Sequence, residues 1–250
     1  MRELRAALQA QAGLTYEIII VDDGSVDRTG AIADALAEGD PTIRVVRNPQ
    51  NLGLAQTFWV GARASRMDYV GWIPGDNGFP AGSLKQWIAP LGSADLVHTY
   101  LRNSEVRYLS RRIVSKAYTR TMNALFKLNL KYYNGIQIYR RDLLLAVTTH
   151  ADGFALLSEV LVKLLASGSS YVEVGINMQE RAQGQSKAVK LRNIMDVMLT
   201  VLRLFIEIKF IYRRRYQSRG LKLAWVPSLE ASADSGTSVQ TVNRECGRSV

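Results

Sequence analysis

The sequence predicts an α/β protein with a mostly parallel sheet flanked by helices. Four apolar residues that favour strands, Ile18 to Val21, follow one another without alternation, as in a strand that helices cover on both faces. Further short apolar strands then alternate with segments of helical length, which is the pattern of parallel α/β sheets. A chain of 250 residues is long enough to bury one core of this kind.

In the first hundred residues, turn and cap residues indicate where the predicted strands and helices begin and end. A helix is predicted over residues 2–12, and it leads through Gly13 into the first strand. No strand is predicted before that helix. Gly24 and Ser25 then turn the chain, and Asp27 or Ser25 caps a helix over 29–38. The other predicted strands in this half are 42–46, 69–73 and 94–100, and the other predicted helices are 55–65 and 81–91.

The second half of the chain differs in charge. Residues 101–217 carry 20 Lys and Arg against 8 Asp and Glu, whereas residues 1–100 carry 8 against 11. Such asymmetry indicates an anionic partner, either a phosphate-bearing ligand, a membrane or a nucleic acid. The signatures of RNA-binding modules are absent, so we expect no nucleic acid. The predicted elements here are a basic helix over 110–130, a strand and helix start over 131–144, a helix over 154–166 and a strand over 171–176.

A long amphipathic helix is predicted next, with three arginines at its end. Its apolar residues at helical spacing are Ile194, Val197, Met198, Val201, Phe205, Ile208 and Tyr212. Such a helix either packs on the domain core or lies in an anionic membrane interface. We therefore divide the chain into a domain over 1–187, a basic amphipathic helix over 188–216 and a disordered tail over 217–250.

Composition excludes several kinds of site. A single cysteine, Cys246, excludes a disulfide or a thiolate metal centre within the chain, and His98 and His150 are too few for a histidine metal site. Residues 1–11 are polar and give no secretory signal, and no uncharged apolar run is long enough to span a bilayer.

Carboxylates follow two of the predicted strands. Asp22 and Asp23 stand at the carboxyl end of the first strand, and Asp76 lies in the Gly-Asp-Asn-Gly segment after the strand 69–73. Ligands of open α/β sheets bind at this edge, and one carboxylate together with a diphosphate commonly holds Mg²⁺ or Mn²⁺. The alternative is that both segments are simply turns, which favour the same residues.

Six motifs in order resemble the family 2 glycosyltransferases of GT-A fold, especially the polyprenyl-phosphate branch that includes dolichol-phosphate mannose synthases. The resemblance covers about residues 1–212. The motifs are V-D-D-G-S-x-D-x-T over 21–29, Asn51-Leu52-Gly53, Gly75-Asp76-Asn77, Arg112-x-x-Ser115, the segment 134–141, and Arg181-x-x-Gly184-x-Ser186-Lys187.

The resemblance implies an inverting sugar transfer from a nucleotide-sugar donor to a polyprenyl phosphate at the cytoplasmic, inner face of a membrane, with peripheral attachment. It assigns nucleotide-sugar binding to Asp22, Asp23, Ser25, Asn51 and Gly53. Asp76 is the implied ligand of Mg²⁺ or Mn²⁺ and is catalytic with Arg112 and Arg181. The resemblance assigns binding of the acceptor phosphate to Arg112, Ser115, Arg181, Ser186 and Lys187. The alternative is that these residues form a solvated basic face.

The sequence also departs from the family pattern. The family's first strand is missing before Arg2, and Pro74 and Gly78 replace two residues of the metal motif. Glu159 is either a base or a structural acid. Two alternatives therefore stay open: the same fold with a carbohydrate or other lipid acceptor, and a non-catalytic remnant that binds nucleotide or membrane.

Overall fold

A computed structural model describes residues 1–153, 155–179, 191–211 and 225–226. The helices are α1 (Arg2–Gln9), α2 (Thr29–Glu38), α3 (Leu54–Ala64), α4 (Ala81–Ile88), α5 (Leu109–Phe126), α6 (Arg141–Leu145), α7 (Leu156–Ala166) and α8 (Leu191–Ile206). The strands are β1 (Ile18–Asp22), β2 (Ile43–Arg47), β3 (Tyr69–Trp72), β4 (Leu96–Leu101), β5 (Gln137–Arg140), β6 (Tyr171–Ile176) and β7 (Trp225–Val226). A 3₁₀ turn over Ser104–Val106 precedes α5, and a π-helical turn over Glu207–Ile211 extends α8.

The strands form two sheets. β1 and β2 pair in parallel, from Ile18 opposite Ile43 to Asp22 opposite Arg47. The other five strands pair in the order β3-β5-β4-β6-β7. There β5 runs antiparallel to β3 and β4, while the β4-β6 and β6-β7 pairs are parallel. The prediction of a mostly parallel sheet is confirmed, and the reversed direction of β5 is a feature that the sequence did not indicate.

A cavity separates the two sheets. Among the described residues no strand lies between β1 and β3, and a space of about 700 Å³ takes that position. Both β1 and β3 therefore have one edge that no other described strand covers.

Helices cover both faces of the five-stranded sheet. Neighbouring residues of a strand point to opposite faces, so Leu96 and Tyr139 lie in one hydrophobic cluster while Val97 and Ile138 lie in the other. The first cluster includes residues of α3, α5, α7 and α8, and the second includes residues of α1 and α4. The result is a three-layer domain whose loops at the strand ends are free to form a site.

Helix α8 is apolar on two faces. One face packs on the first cluster, where Leu204 and Ile208 are buried. This is the face that helical spacing predicted, except that Met198 is 61% exposed; the side chains of Ile194 and Tyr212 lie outside the described residues. The second, exposed face carries Met198, Leu199, Leu202, Ile206, Phe210 and Ile211. No helix in the described part of the chain is both long enough and apolar enough to cross a bilayer.

A buried ion triad joins α7 to the π-helical turn after α8. Lys163 Nζ lies 2.8 Å from Glu159 Oε1 and 2.9 Å from Glu207 Oε1. Burial alone would lower the pKa of Lys163, but its contacts with the two carboxylates raise it overall. Glu159 also accepts the backbone N–H groups of His150 and Ala151. Of the two alternatives for Glu159, these contacts support the structural acid.

The carboxyl-terminal region differs from the prediction at one place. The two-residue strand β7 pairs in parallel with β6, with Trp225 opposite Tyr171, although the sequence predicted disorder from residue 217 onward. A strand this short has no periodicity that a sequence pattern could reveal. The rest of the predicted tail lies outside the described residues.

Candidate active site

Asp22 closes the turn at the carboxyl end of β1. Its Oδ1 accepts the backbone N–H of Ser25 at 3.0 Å, and its Oδ2 lies 3.7 Å from Arg47 Nε. A side chain at Gly30 would approach Asp22 Oδ2 to 3.1 Å, so a glycine leaves room for the carboxylate. Asp22 is buried, whereas Ser25 is exposed. The N-cap residue of α2 is Arg28, without a side-chain cap hydrogen bond, so neither Asp27 nor Ser25 occupies the predicted cap position; Asp27 accepts the N–H of Thr29 at 2.9 Å in the preceding turn.

Asp23 fastens the neighbouring loop to this turn. Its Oδ1 accepts Asn48 Nδ2 at 2.8 Å and the N–H of Leu52 at 2.9 Å, and its Oδ2 accepts the N–H of Gly53 at 3.0 Å. Burial alone would raise the pKa of Asp23, but the hydrogen bonds from Asn48, Leu52 and Gly53 lower it overall. At Gly24, with φ of +70°, a Cβ would meet Gln50 C at 2.5 Å. The carboxylate that the sequence assigned to the nucleotide therefore also positions Asn51 and Gly53.

The loop after β3 holds Asp76 and is tied to the end of β6. Asp76 Oδ1 accepts the N–H of Gly78 at 3.1 Å, and Asn77 has a positive φ of 53°. The N–H of Gln179 donates to Gly78 O at 3.0 Å, and its side-chain amide donates to Asn77 O. These bonds give the Asp76 loop a fixed position beside the segment that follows β6.

Asn103 connects the same segment to the loop after β4. Its Nδ2 donates to Met178 O at 2.7 Å, and its Oδ1 accepts the N–H of Met178 at 2.9 Å. Nearby, the N–H of Arg102 donates to Ile176 O at 3.0 Å. The ends of β4 and β6 are thus joined next to the Asp76 loop.

Two arginines with buried Nε–H groups, Arg107 and Arg112, follow Asn103 along the chain. Arg107 Nη1 donates to Tyr132 Oη at 3.0 Å, and its guanidinium lies 5.6 Å from the centre of the Tyr132 ring. The Nε–H groups of Arg107 and Arg112 are buried and have no hydrogen-bond partner in the described part of the chain. Arg112 and Ser115 lie one turn apart at the start of α5. Buried donors of this kind cost free energy unless a ligand or water accepts from them.

The amino-acid sequence matches a known protein family over more than half of its length. The family model described as glycosyl transferase family 2 matches residues 1–147. The chain belongs to glycosyl transferase family 2. This membership confirms the resemblance that the acidic turn and the Asp76 loop indicated.

Two curated relatives of this family 2 chain have names that specify a polyprenyl phosphate. The dolichol-phosphate mannosyltransferase of Pyrococcus furiosus is 28% identical over 203 residues, which are 78% of this chain and 56% of the relative. The undecaprenyl-phosphate mannosyltransferase of Micrococcus luteus is 28% identical over 182 residues, 68% of this chain and 75% of the relative. The chain thus spans little more than half of the archaeal relative.

A solved structure supports the fold. Glucosyl-3-phosphoglycerate synthase from Mycobacterium tuberculosis, in complex with Mn²⁺, UDP-glucose and phosphoglyceric acid, has a TM-score of 0.61 with 20% identity. The likeness covers 81% of this chain and 74% of that one. The predicted GT-A fold of the family 2 chain is therefore confirmed.

Three residues of the predicted acceptor site of this family 2 chain belong to the segment after Gln179. Arg181, Ser186 and Lys187 lie outside the described residues, so their roles stay predictions. The chain enters their segment after Gln179, which is bonded to the Asp76 loop. No group of three or more His, Cys, Asp or Glu that could hold a metal occurs among the described residues.

Residues 134–141 have a structural role in this family 2 chain. A Cβ at Gly135 would lie 2.1 Å from Thr99 O, so the backbones approach too closely for any other residue. Arg140 pairs with Asp95 at 2.8 Å, at the opposite end of the sheet from the Asp76 loop, because β5 runs antiparallel to β4.

Sequence reasoning missed the residues that join the loops. Asn103, Gln179, Arg107 and Tyr132 belong to none of the six motifs. The usable signal was position: Asn103 follows a predicted strand at the edge where ligands of α/β sheets bind.

Proposed function

We propose that this chain transfers a sugar from a nucleotide diphosphate donor to a polyprenyl phosphate, with inversion, at the cytoplasmic face of a membrane. The observation that carries the proposal is one continuous set of hydrogen bonds. It leads from the Asp76 loop through Gln179 and Met178 to Asn103, within four residues of Arg107. The carboxylate that we assign to a metal and the arginines that we assign to a phosphate therefore follow strands that end at the same edge of the sheet.

The donor half of the site centres on Asp76. A hard divalent cation, Mg²⁺ or Mn²⁺, accepts carboxylate and phosphate oxygens and commonly keeps several waters. The single carboxylate of Asp76 fits such an ion when a diphosphate supplies further oxygens. The ion, when bound, would offset the negative charge that builds on the departing diphosphate. On the other side, the turn of Asp22 and Ser25 and the loop of Asn51 and Gly53 would hold the nucleotide.

The acceptor half is basic, and the residues proposed for it in the described part of the chain, Arg107, Arg112 and Ser115, include no carboxylate or histidine that could act as a general base. An alcohol acceptor would need a base, but a lipid phosphate has a second pKa near ~6 and is already anionic at neutral pH. Such an acceptor needs positioning, which arginines supply through paired N–H donors. The buried Nε–H groups of Arg107 and Arg112 support this role, and Ser115 lies one helical turn after Arg112.

Membrane attachment is the third part of the proposal. The exposed face of α8 includes Leu202, at 56% exposure, and Phe210, at 71%. The start of α5 adds Tyr108 and Leu109, at 83% and 66%, next to the basic residues of that helix. Apolar side chains flanked by arginines suit an anionic lipid interface, where the polyprenyl acceptor is dissolved.

A transfer assay tests the catalytic proposal. The chain is incubated with radiolabelled UDP- and GDP-sugars and undecaprenyl phosphate in vesicles, with Mg²⁺, Mn²⁺ or EDTA. We expect label in the lipid fraction only with a divalent ion, and a loss of at least 100-fold for Asp76→Asn. Asp142→Asn is the matched control, because Asp142 is exposed and pairs with Arg140 at the opposite end of the sheet.

The same assay separates the alternatives. Transfer to a sugar or a diacylglycerol, with no label on undecaprenyl phosphate, would replace the acceptor and keep the fold. Nucleotide binding without transfer to any acceptor would indicate the non-catalytic remnant. Equal activity of Asp76→Asn and Asp142→Asn would remove Asp76 from the site.

A further inference from the structure

The loop between α5 and β5 brings Tyr132 against an arginine of the acceptor half. Arg107 Nη1 donates to Tyr132 Oη at 3.0 Å, and the guanidinium carbon lies 5.6 Å from the centre of the tyrosine ring. Both side chains are half-buried. A free arginine side chain samples many rotamers, so contacts with a hydroxyl and a ring restrict the directions in which the guanidinium can point.

Buried side chains from two strands hold the backbone of this loop. His98 Nε2, on β4, lies 2.6 Å from Tyr132 O. Glu173 Oε1, on β6, accepts the N–H of Lys131 at 2.9 Å. Because both strands lie in the interior of the five-stranded sheet, the position of Tyr132 is set by the core of the domain.

Holding the loop in this way costs free energy. Burial lowers the pKa of His98 to about 4, so its ring is neutral at pH 7, and its Nε2 carries the proton because Tyr132 O can only accept. The other ring nitrogen, Nδ1, is buried and has no hydrogen-bond partner among the described residues. Burial also raises the pKa of Glu173, and the N–H of Lys131 offsets part of this rise. Buried titratable groups with shifted pKa values are typical of functional sites.

The bond to Tyr132 leaves one side of the Arg107 guanidinium available. An arginine presents Nε–H and one N–H of Nη2 side by side, a pair that matches two oxygens of a phosphate. Tyr132 takes the third nitrogen, Nη1, and the buried Nε–H of Arg107 has no partner in the described part of the chain. The Nε–H of Arg112 is in the same state. The free-energy cost of such donors is recovered when an anion accepts from them.

We propose that Tyr132 is a positioning residue of the acceptor site, which holds Arg107 so that its Nε–H and Nη2–H groups bind the phosphate of a lipid phosphate monoester. The inference rests on the proposed function, whose acceptor it describes at the level of single donors. Tyr132 does not touch the acceptor in this arrangement. It acts through Arg107, whose orientation is fixed before the phosphate arrives, so that less conformational entropy is lost on binding. The alternative is a purely structural contact, in which the pair stabilises the loop and leaves the affinity for phosphate unchanged.

Calorimetric titration of the full chain with farnesyl phosphate, in the absence of a sugar donor, tests the inference. We expect Kd to rise about tenfold in Tyr132→Phe, which keeps the ring and loses the hydroxyl, and at least as much in Arg107→Lys, which keeps the charge and loses the paired donors. Because Tyr132 acts through Arg107, the double variant should bind within about twofold of Arg107→Lys alone. Additive losses in the double variant, or an unchanged Kd in Tyr132→Phe, would contradict the positioning role.

Tyr69→Phe is the matched control. It also removes a tyrosine hydroxyl with one hydrogen bond, to Ala94 O at 3.3 Å. Tyr69 pairs with Arg140, at the opposite end of the sheet from the Asp76 loop. Its Kd for farnesyl phosphate should therefore stay within about twofold of the parent chain. A rise equal to that of Tyr132→Phe would show that any lost hydroxyl bond loosens the site and would contradict the inference.

Two further probes separate the phosphate from the lipid chain. Inorganic phosphate has the headgroup alone and farnesol the chain alone, and we expect each to bind at least about tenfold more weakly than farnesyl phosphate. Equal binding of inorganic phosphate would indicate a site for free phosphate. Equal binding of farnesol would indicate an apolar site that does not use Arg107. Either result contradicts the inference, and so does a parent chain that binds no farnesyl phosphate.

Kinetics distinguish this inference from the proposed function. In the transfer assay, Tyr132→Phe should raise the KM for undecaprenyl phosphate about tenfold and leave the KM for the sugar donor unchanged. Equal rises in both KM values would contradict a role at the acceptor. A parent chain that binds farnesyl phosphate with the expected differences between variants but transfers no sugar would support the phosphate site and contradict the proposed function.

Discussion

Asn103→Ala should weaken both halves of the proposed site at once. The substitution removes two hydrogen bonds to the backbone of Met178, at 2.7 and 2.9 Å. Each hydrogen bond contributes about 1 kcal/mol, so the free energy of unfolding should fall by about 2 kcal/mol. For a chain of this size, that loss corresponds to a Tm lower by about 4–8 °C. Met178 leads into Gln179, which holds the Asp76 loop, so kcat/KM should fall for donor and acceptor alike, by up to about 30-fold if the whole loss appears in the transition state.

Asn123→Ala is the matched control for this prediction. Asn123 makes the same pair of bonds to the backbone of Leu130, at 2.9 and 3.1 Å, and also accepts from Tyr133 Oη at 2.8 Å. It lies in the last turn of α5, and none of its described hydrogen bonds involves the Asp76 loop. It should lose about 2–3 kcal/mol of stability with kcat/KM within threefold of the parent chain. Equal kinetic losses in the two variants would refute the idea that Asn103 acts through the site, and so would unchanged kinetics in Asn103→Ala.

Three further perturbations test the exposed helix face and two buried groups. Leu202→Ser should weaken flotation of the chain with anionic vesicles, and the remaining binding should fall with added salt. Ile32→Ser, at a similar exposure of 55%, should leave flotation unchanged. If neither substitution changes flotation, α8 is a core helix only. Lys163→Met leaves the carboxylates of its triad without a cation and should cost about 3–5 kcal/mol in urea unfolding, while Lys85→Met on the surface should change it by less than about 0.5 kcal/mol. Burial lowers the pKa of His98 to about 4, so below pH 6.5 the unfolded chain takes up a proton at this residue while the folded chain stays neutral. The free energy of unfolding should therefore fall by about 3 kcal/mol between pH 6.5 and pH 4, at about 1.36 kcal/mol per pH unit. The slope should be shallower in His98→Gln.

Local chemistry made several elements predictable from sequence. The helix Thr29–Glu38 and the strand Tyr171–Ile176 occur with the bounds that the turn, cap and glycine residues gave. In both cases a short apolar segment is closed by residues that cannot continue it. The acidic turn and the Asp76 loop could likewise be located, because a strand ending fixes which edge of the sheet they occupy.

Features that depend on tertiary pairing were not predictable in this way. A four-residue strand such as Gln137–Arg140 has the same side-chain pattern whether it runs parallel or antiparallel to its neighbours. Helix α8 carries apolar residues on two faces, and periodicity alone could not tell which face the core would cover. Asp23 shows the same limit at the site, because its bonds to Asn48, Leu52 and Gly53 come from a loop about thirty residues away.

The candidate donor residues lie on both sides of the cavity between β1 and β3. Asp22 directly follows the part of β1 that lines the cavity, and Asp76 directly follows Gly75, which also lines it. The two candidate donor segments therefore belong to different sheets on either side of this space, so their relative position is set by the packing of the sheets and not by any local pattern in the sequence.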